Sequence, residues 1–461
     1  MTVSVVIPQS LVEEIDSAAR IPVETAGVML AGVAEGANGD VRLLARGMRW
    51  VREHAYSRRE WNTLGIRSEG YVQALSEAET IGATCVWVHT HPGQNAWPKP
   101  SEHDRVVDQE IKDLFRIRSG SPFYGALIFS PREEYLAFTG HLQREGSEDK
   151  KVERLWQIGD RFRLTRAFDS SQPPLSPIFD RNVRAFGSLV QRTLGDLKIG
   201  IVGCGGTGSA VAEQLVRLGV RQLTLIDPDR LSESNITRVY GSTAMDVGEP
   251  KVQVLARYLT RISSELRCET IQSMITLEAT ARRLVGCDVV FGCTDDNAGR
   301  LLLSRLATYL LIPVIDSGVL LSSSANGELT GIDARVTILA PGNACLVCRD
   351  RIDLARAAAE LLTPDERIRR EDEGYAPALA QTEPAVVTFT TVVAATAVSE
   401  LLERLIGYGP EPRPSEVLLR CHEREISTNV ALPRSGHYCD PTSSKLGIGM
   451  TVPFLEQTWP A

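Results

Sequence analysis

The sequence predicts an α/β protein of two domains, the second built on a mostly parallel sheet. Three observations predict it. The chain has 461 residues, more than one ordinary hydrophobic core holds. After residue 180, short β-branched runs alternate with helical stretches, opening with strand, glycine loop and helix. A polar stretch (His141–Arg154) followed by the Pro- and Ser-rich DSSQPPLSP at 169–177 separates that half from the first. Residues 1–145 are therefore assigned to one domain, 146–178 to a linker and 179–461 to the second domain, with part of 151–167 read as a helix lying on one of them.

Composition narrows the function classes. A hydrophobic content of 43% and a charged content of 23% are those of a soluble globular chain. The net charge of −8 argues against a nucleic-acid-binding surface as the main function. The opening MTVSVVIPQS has no basic region ahead of an apolar core, and no apolar run reaches the ~18 residues of a membrane span. The nine scattered cysteines fit a reducing cytoplasm rather than a disulfide framework. A cytoplasmic protein is expected.

In the first domain, Val3–Ile7 reads as a strand, and Ser10–Arg20 as a helix capped by Ser10 with Glu13 three residues on. Cys85–His91 and Ala126–Ser130 are strand-like, and Glu102–Leu114 is helical. Residues two apart on a strand point to one side, so His89 and His91 present both imidazoles to one point. Asp104, early in the following helix, supplies a carboxylate to the same place. Three N/O donors with an open fourth position suit a catalytic zinc. A chance pair of histidines on a strand is the plain alternative.

The series Glu24, His89-Thr90-His91-Pro92, Ser101 and Asp104 resembles that of the JAMM (MPN-type) metallopeptidases over about the first 140 residues. The resemblance implies His89, His91 and Asp104 as zinc ligands. It also implies Glu24 as general base for the hydrolytic water and Ser101 as stabiliser of the tetrahedral oxyanion. The insert between His91 and Ser101 is longer than the commonest family version.

In the second domain Lys198–Val202, Gln222–Ile226, Asp288–Gly292 and Pro313–Asp316 read as strands, with helices over Ser209–Leu218, Lys251–Leu266 and Asn297–Leu310. Gly203, Gly205, Gly206 and Gly208 follow the first strand and open a helix, allowing phosphates to approach backbone N–H groups. Asp227 ends the next strand, 19 residues after Gly208. This much fits a dinucleotide oxidoreductase as well as an ATP enzyme. The continuation through Asp229, Asn235, Arg238, Lys251, Asp295 and Arg300 supplies cations, an amide and a carboxylate for a magnesium triphosphate.

That series resembles the adenylating domain of ubiquitin-activating-type (ThiF/MoeB-like) enzymes, from about residue 179 to 440. A Rossmann-like fold is implied. So are Asp227 on the ribose, Asn235, Arg238 and Lys251 around the phosphates, and Asp295 on Mg²⁺. Phe179-Asp180-Arg181-Asn182 resembles the family's entry segment, implying that Arg181 reaches the ATP of the other subunit in a homodimer. The stretch Tyr375–Pro384, where many relatives carry a nucleophilic cysteine, has none. Cys345 and Cys348 form a CxxC that in the family joins a second pair to hold structural zinc; here His437 and Cys439 stand at the second place. A Cys₃His site, a two-cysteine variant using Cys421 or His422, or simply reduced thiols all remain open.

The expected function is bifunctional: a zinc (iso)peptidase that processes or removes a ubiquitin-like modifier, and an ATP-dependent adenylyltransferase acting on the modifier's C-terminal glycine. Expected partners are a ubiquitin-like or sulfur-carrier β-grasp protein, a second copy of the chain, and a conjugating enzyme or sulfurtransferase, with no nucleic acid and no membrane. The alternatives are sulfur-carrier activation for cofactor or metabolite biosynthesis, adenylation of a small peptide, and a nucleotide-gated binding module without turnover.

Overall fold

The computed structural model describes residues 2–93, 97–167, 174–324, 326, 328–363, 365, 366, 369 and 385–459. The cysteine-free stretch Tyr375–Pro384 lies outside the described residues. The chain divides into two compact units. Unit 1 comprises Met1–Pro173 with the short segments Tyr309–Leu311 and Ser444–Thr451, and unit 2 comprises the rest.

Unit 1 contains strands β1 (Val3–Pro8), β2 (Ala26–Glu35), β3 (Val41–Trp50), β4 (Tyr56–Arg59), β5 (Leu64–Ile66), β6 (Thr84–Thr90), β7 (Phe123–Pro131), β8 (Leu136–Arg144), β9 (Lys150–Ile158) and β10 (Arg163–Arg166). Its helices are α1 (Gln9–Ala19), α2 (Glu69–Ile81) and α3 (Glu102–Ser119). The main sheet runs β1-β3-β2-β6-β7-β8-β9-β10, and β1 also pairs in parallel with β9, closing a barrel-like ring. β4 and β5 form a separate hairpin.

Strand periodicity divides the core in two. Met29, Val86, Val88, Leu127 and Phe129 belong to one cluster, whereas Val28, Leu30, Cys85, Trp87 and Tyr124 belong to the other with Ala74, Leu75 and Phe115 of α2 and α3. His89 and His91 continue the series 85, 87, 89, 91 and so stand on the side that α3 covers.

Two expectations change here. The segment 146–178 is not a free linker with a helix: β9 and β10 occupy 150–158 and 163–166, and β9 closes the ring. Its charged residues are interspersed with the buried Val152, Leu155, Trp156 and Ile158, and the ladder with β1 shifts register after Val152. Helix α1 begins at Gln9 after Pro8 and has no side-chain cap, so the Ser10–Glu13 capping box is not formed.

Unit 2 contains α4 (Asp180–Asp196), β11 (Lys198–Val202), α5 (Gly206–Arg217), β12 (Gln222–Ile226), α6 (Lys251–Ile262), β13 (Arg267–Ile271), α7 (Glu278–Ala281), β14 (Val289–Gly292), α8 (Asn297–Tyr309), β15 (Val314–Ser323), β16 (Leu329–Leu339), α9 (Leu354–Glu360), α10 (Val387–Ile406), β17 (Glu416–Arg420) and β18 (Glu425–Asn429). The sheet order is β13-β12-β11-β14-β15-β16-β17-β18. Pairings from β13 through β15 are parallel and those from β15 through β18 antiparallel, so the mostly parallel expectation holds for the first five strands only. The order reverses between β11 and β14, creating the crevice where open α/β sheets bind ligands. Among the described residues no helix is long and apolar enough to cross a membrane.

Trp156→Ala is expected to cost about 3–5 kcal/mol in urea unfolding of the full chain, the range for a large buried aromatic. A change below about 0.5 kcal/mol would place this side chain on an exposed linker instead.

Candidate functional site

The crevice of unit 2 is lined by the segments leaving β11, β12 and β14. Gly203 has φ of 91°, and a Cβ there would lie 2.6 Å from the Cys293 carbonyl oxygen. A Cβ on Gly208 would lie 1.8 Å from the Gly203 oxygen, so the loop turns only if both are glycine. Gly205 is the N-cap of α5, and Gly206 packs against Thr390 of α10. The backbone N–H groups of the first turn of α5 are thus presented at the mouth.

Asp227, buried at the end of β12, ties this loop down. Its Oδ2 accepts from the Cys204 N–H at 2.6 Å and its Oδ1 from the Asp229 N–H at 2.8 Å. Burial raises its carboxyl pKa, opposed by Lys251 and by these two N–H groups. Lys251, at the start of α6, places Nζ 2.7 Å from Asp229 Oδ2. Asn235 caps a short turn by accepting from Ser232 N–H, and Arg238 donates to the Ser234 carbonyl oxygen at 2.9 Å.

After β14, two adjacent carboxylates have different tasks. Asp296 accepts from Thr294 Oγ1 and from the Gly299 N–H at the start of α8. Asp295 is exposed and makes no hydrogen bond or ion pair among the described residues. Arg300, grouped in sequence with the phosphate cations, instead stands 3.7 Å from Asp316 of β15. Arg181 is exposed near the start of α4.

In unit 1 the expected donors converge. His89 Nε2 lies 3.2 Å from His91 Nε2 and 3.3 Å from Asp104 Oδ1, and His91 Nε2 lies 3.6 Å from Asp104 Oδ2. Donors held about 2.0–2.1 Å from a zinc ion in tetrahedral geometry are about 3.3 Å apart, so the spacing fits. Ser101 builds the approach of Asp104. It is the N-cap of α3, its Oγ accepts the Asp104 N–H, and its own N–H donates to Asp104 Oδ2 at 2.7 Å. Burial pushes the Asp104 carboxyl up, but hydrogen bonds from His89 and His91 and the Ser101 N–H outweigh it, holding the group well below the usual range.

Glu24 precedes β2, whose antiparallel ladder sets Ala26 beside His89 and continues through Thr90 N–H to the Thr25 oxygen. That register brings Glu24 Oε1 to 3.8 Å from His91 Nε2. Its carboxyl is pushed up to about 7 by burial; His91 and His103 oppose the rise and Asp104 adds to it.

Cys345, Cys348, His437 and Cys439 form a second donor cluster. Cys345 Sγ is 3.6 Å from His437 Nδ1, Cys348 Sγ 3.6 Å from Cys439 Sγ, and His437 Nδ1 3.2 Å from Cys439 Sγ. Cys421 and His422 stand apart from it, His422 bonding the Ile332 backbone.

Sequence reading missed Asp316 and Arg335, whose ion pair at 2.8 Å joins β15 to β16. No local motif announces a charge pair across a hairpin.

A parallel sheet with a glycine loop at its switch point defines a nucleotide-binding α/β unit. Residues 179–439 match the ThiF family model, and the chain belongs to the ThiF family. It is 29% identical over 172 residues to the molybdopterin-synthase adenylyltransferase of Escherichia coli K12, covering 37% of this chain and 65% of that one. The sulfur carrier protein ThiS adenylyltransferase of the same organism is 34% identical over 125 residues, covering 27% of this chain and 50% of that one. The organism's tRNA threonylcarbamoyladenosine dehydratase is 29% identical over 163 residues, covering 35% of this chain and 59% of that one. The chain thus spans about half to two thirds of the length of these curated relatives. The family match leaves residues 1–178 outside it.

Gly208→Ala is expected to destabilise unit 2 by about 1–3 kcal/mol through overpacking, read as a lower melting temperature. An unchanged melting temperature would mean that the loop relaxes freely.

Proposed function

We propose that unit 2 adenylates the C-terminal carboxylate of a small β-grasp protein. The carboxylate oxygen bonds to the α-phosphorus of ATP as the α–β bridging bond breaks, giving an acyl-adenylate and pyrophosphate. The observation that carries this reading is Asp295, exposed and without a partner among the described residues at the switch point, beside a loop pre-built by Gly203, Gly208 and Asp227. Two anions about 4 Å apart repel by roughly 4 kcal/mol at an effective dielectric near 20. Lys251, Arg238 and the N-terminus of α5 would offset that repulsion, and Asp295 would hold a Mg²⁺ ion that adds further positive charge. Asp227 retains lone pairs for ribose hydroxyls beyond its two backbone bonds, and the exposed Arg181 would reach a second copy of the chain.

Sulfur-carrier activation is favoured over a thioester relay. The expected site of the relay thiol, Tyr375–Pro384, contains no cysteine, and two relatives carry names of sulfur-carrier or molybdopterin-synthase adenylation. The test is ATP–pyrophosphate exchange against β-grasp proteins ending in Gly-Gly encoded nearby. Asp295→Ala is expected to abolish exchange, and exchange retained in that variant would remove the reading.

Unit 1 supports a second activity, a zinc-dependent hydrolase acting on the same tail. His89, His91 and Asp104 would hold the ion, which supplies Lewis-acid chemistry, and Glu24, 3.8 Å from His91 and raised in pKa by burial, would take the proton from water. Glu24→Ala is expected to stop cleavage of a tail-extended carrier while the chain keeps its zinc. Loss of the metal with the activity would make Glu24 a ligand instead.

Cys345, Cys348, His437 and Cys439 fit a structural zinc. Cys345→Ser is expected to lower metal content by about one ion per chain and to lower the melting temperature of unit 2. Unchanged metal content would leave these as plain thiols.

A further inference from the structure

Asn235 and Arg238 stand on an irregular arm of unit 2 that belongs to no strand ladder. After β12 the chain passes through short turns at Glu233–Asn235 and Ala244–Asp246 before α6 begins at Lys251. Most polar bonds in the arm are local. Asn235 accepts from the Ser232 N–H, and the Arg238 N–H and guanidinium reach back to the Asn235 and Ser234 carbonyl oxygens. Thr237 bonds the Ser234 carbonyl and Ser242 that of Val239. Such bonds shape a turn without setting where the turn sits in the domain.

The exception is Tyr240. Among the described residues, the hydrogen bonds that carry positions 234–242 beyond residues 232–242 are the two that Tyr240 makes. Its N–H donates to Ser209 Oγ at 3.0 Å, and its hydroxyl lies 2.8 Å from Thr391 Oγ1. Ser209 is fully buried in the first turn of α5, with its own proton directed at the Gly206 carbonyl oxygen 3.3 Å away, so a lone pair is left for Tyr240. Thr391 Oγ1 lies 2.7 Å from the Val387 carbonyl oxygen, which takes its single proton and leaves the Tyr240 hydroxyl as donor of that pair.

The two anchors are the helices that flank the phosphate loop. Gly206 opens α5, and a Cβ there would lie 3.0 Å from Thr390 Oγ1 of α10, the neighbour of Thr391. Tyr240 therefore registers the arm against the same two helices that meet at the loop. On its other side the arm rests on α6. Gly241, at φ of 76°, comes so near Tyr258 that a Cβ would lie 2.1 Å from the ring. That contact sets how deep the arm sits, whereas the directional bonds of Tyr240 set its position along the crevice.

We propose that Tyr240 is a positioning residue for the nucleotide, holding the arm so that Arg238 meets the phosphate chain at the N-terminus of α5. The proposal deepens the adenylation reading and rests on its nucleotide site. Arg238 is turned back on the Ser234 carbonyl and must leave it to reach a phosphate. A long side chain that swings finds its partner only from a fixed root, and Tyr240, two positions on, fixes that root. Each displacement of the root weakens a charge-assisted bond that depends on alignment.

The test measures ATP affinity of the full-length protein by titration calorimetry without a carrier, beside ATP–pyrophosphate exchange with one. Tyr240→Phe is expected to weaken ATP about threefold to tenfold, the range of one net hydrogen bond. In exchange the loss falls on KM for ATP, with KM for the carrier within about twofold. Thr391→Val is expected to lose as much, and Thr391→Ser to recover most of it. On an Arg238→Ala background, Tyr240→Phe is expected to add less than about twofold, because the group it positions is gone.

An undiminished effect on the Arg238→Ala background would overturn the proposal, since a tyrosine that only stabilises the unit weakens ATP in both backgrounds. Wild-type affinity in both Tyr240→Phe and Thr391→Val would overturn it too, as would wild-type affinity in Arg238→Ala alone. A chain that binds ATP but exchanges with no carrier would remove the adenylation reading instead, and the binding cycle would still decide the role of Tyr240.

Discussion

The buried carboxylate of Asp227 is the interaction on which the second unit's crevice depends. One oxygen holds the backbone of Cys204 in the glycine loop and the other holds Asp229, so a single anion ties together the segments leaving β11 and β12. Asp229 in turn receives Lys251. Burying a carboxylate is costly unless donors surround it, and here the donors are the backbone groups whose geometry the site needs. The loop is therefore shaped before any nucleotide arrives, and little ordering is left to be done on binding.

Unit 1 reaches its site by a different route, through strand period and helix capping. The two-residue repeat that sorts Val86 and Val88 from Cys85 and Trp87 also sets His89 and His91 on the helix-covered side. Ser101 then fixes where α3 begins and so where Asp104 points. Polar groups packed this tightly beneath a helix are expensive without a shared partner. The coexistence of two imidazoles and a strongly acidic carboxylate at hydrogen-bonding distances is what a bound cation would reward.

Much of this was legible because it is local. The strand–loop–helix order around Gly203–Gly208, the His89/His91 pair and the Cys345/Cys348 pair are each written within a few residues. The joining of Cys345 and Cys348 to His437 and Cys439, about 90 positions on, was instead implied by the family resemblance, and the structure brings the four side chains together. The linker assignment failed because Lys150–Ile158 mixes lysine, arginine and glutamate with its apolar residues, and a register shift in the ladder with β1 breaks the period of two that would mark a strand. The antiparallel extension of the sheet was missed because β15 runs well past Asp316, where its apolar signal fades into serines. Asp316 and Arg335 are 19 positions apart and meet only across that hairpin. The resemblance singles out Asp295 over Asp296, and packing supplies a physical reason, since α8 consumes Asp296 as its cap.

The pairing of β1 with β9 also sets a timetable for synthesis. Val3 finds Val152 149 positions later, so the ring cannot close until nearly the whole first unit has left the ribosome. At about 5–20 residues per second, the first strand waits roughly 7–30 s with one edge unclaimed. Every residue of the His–His–Asp cluster is translated during that interval. Nascent chains of this protein thus pass through a stage with an open sheet edge and the two histidines and the aspartate already made but not yet held together by the closed ring, when holdase chaperones have their greatest leverage on the outcome.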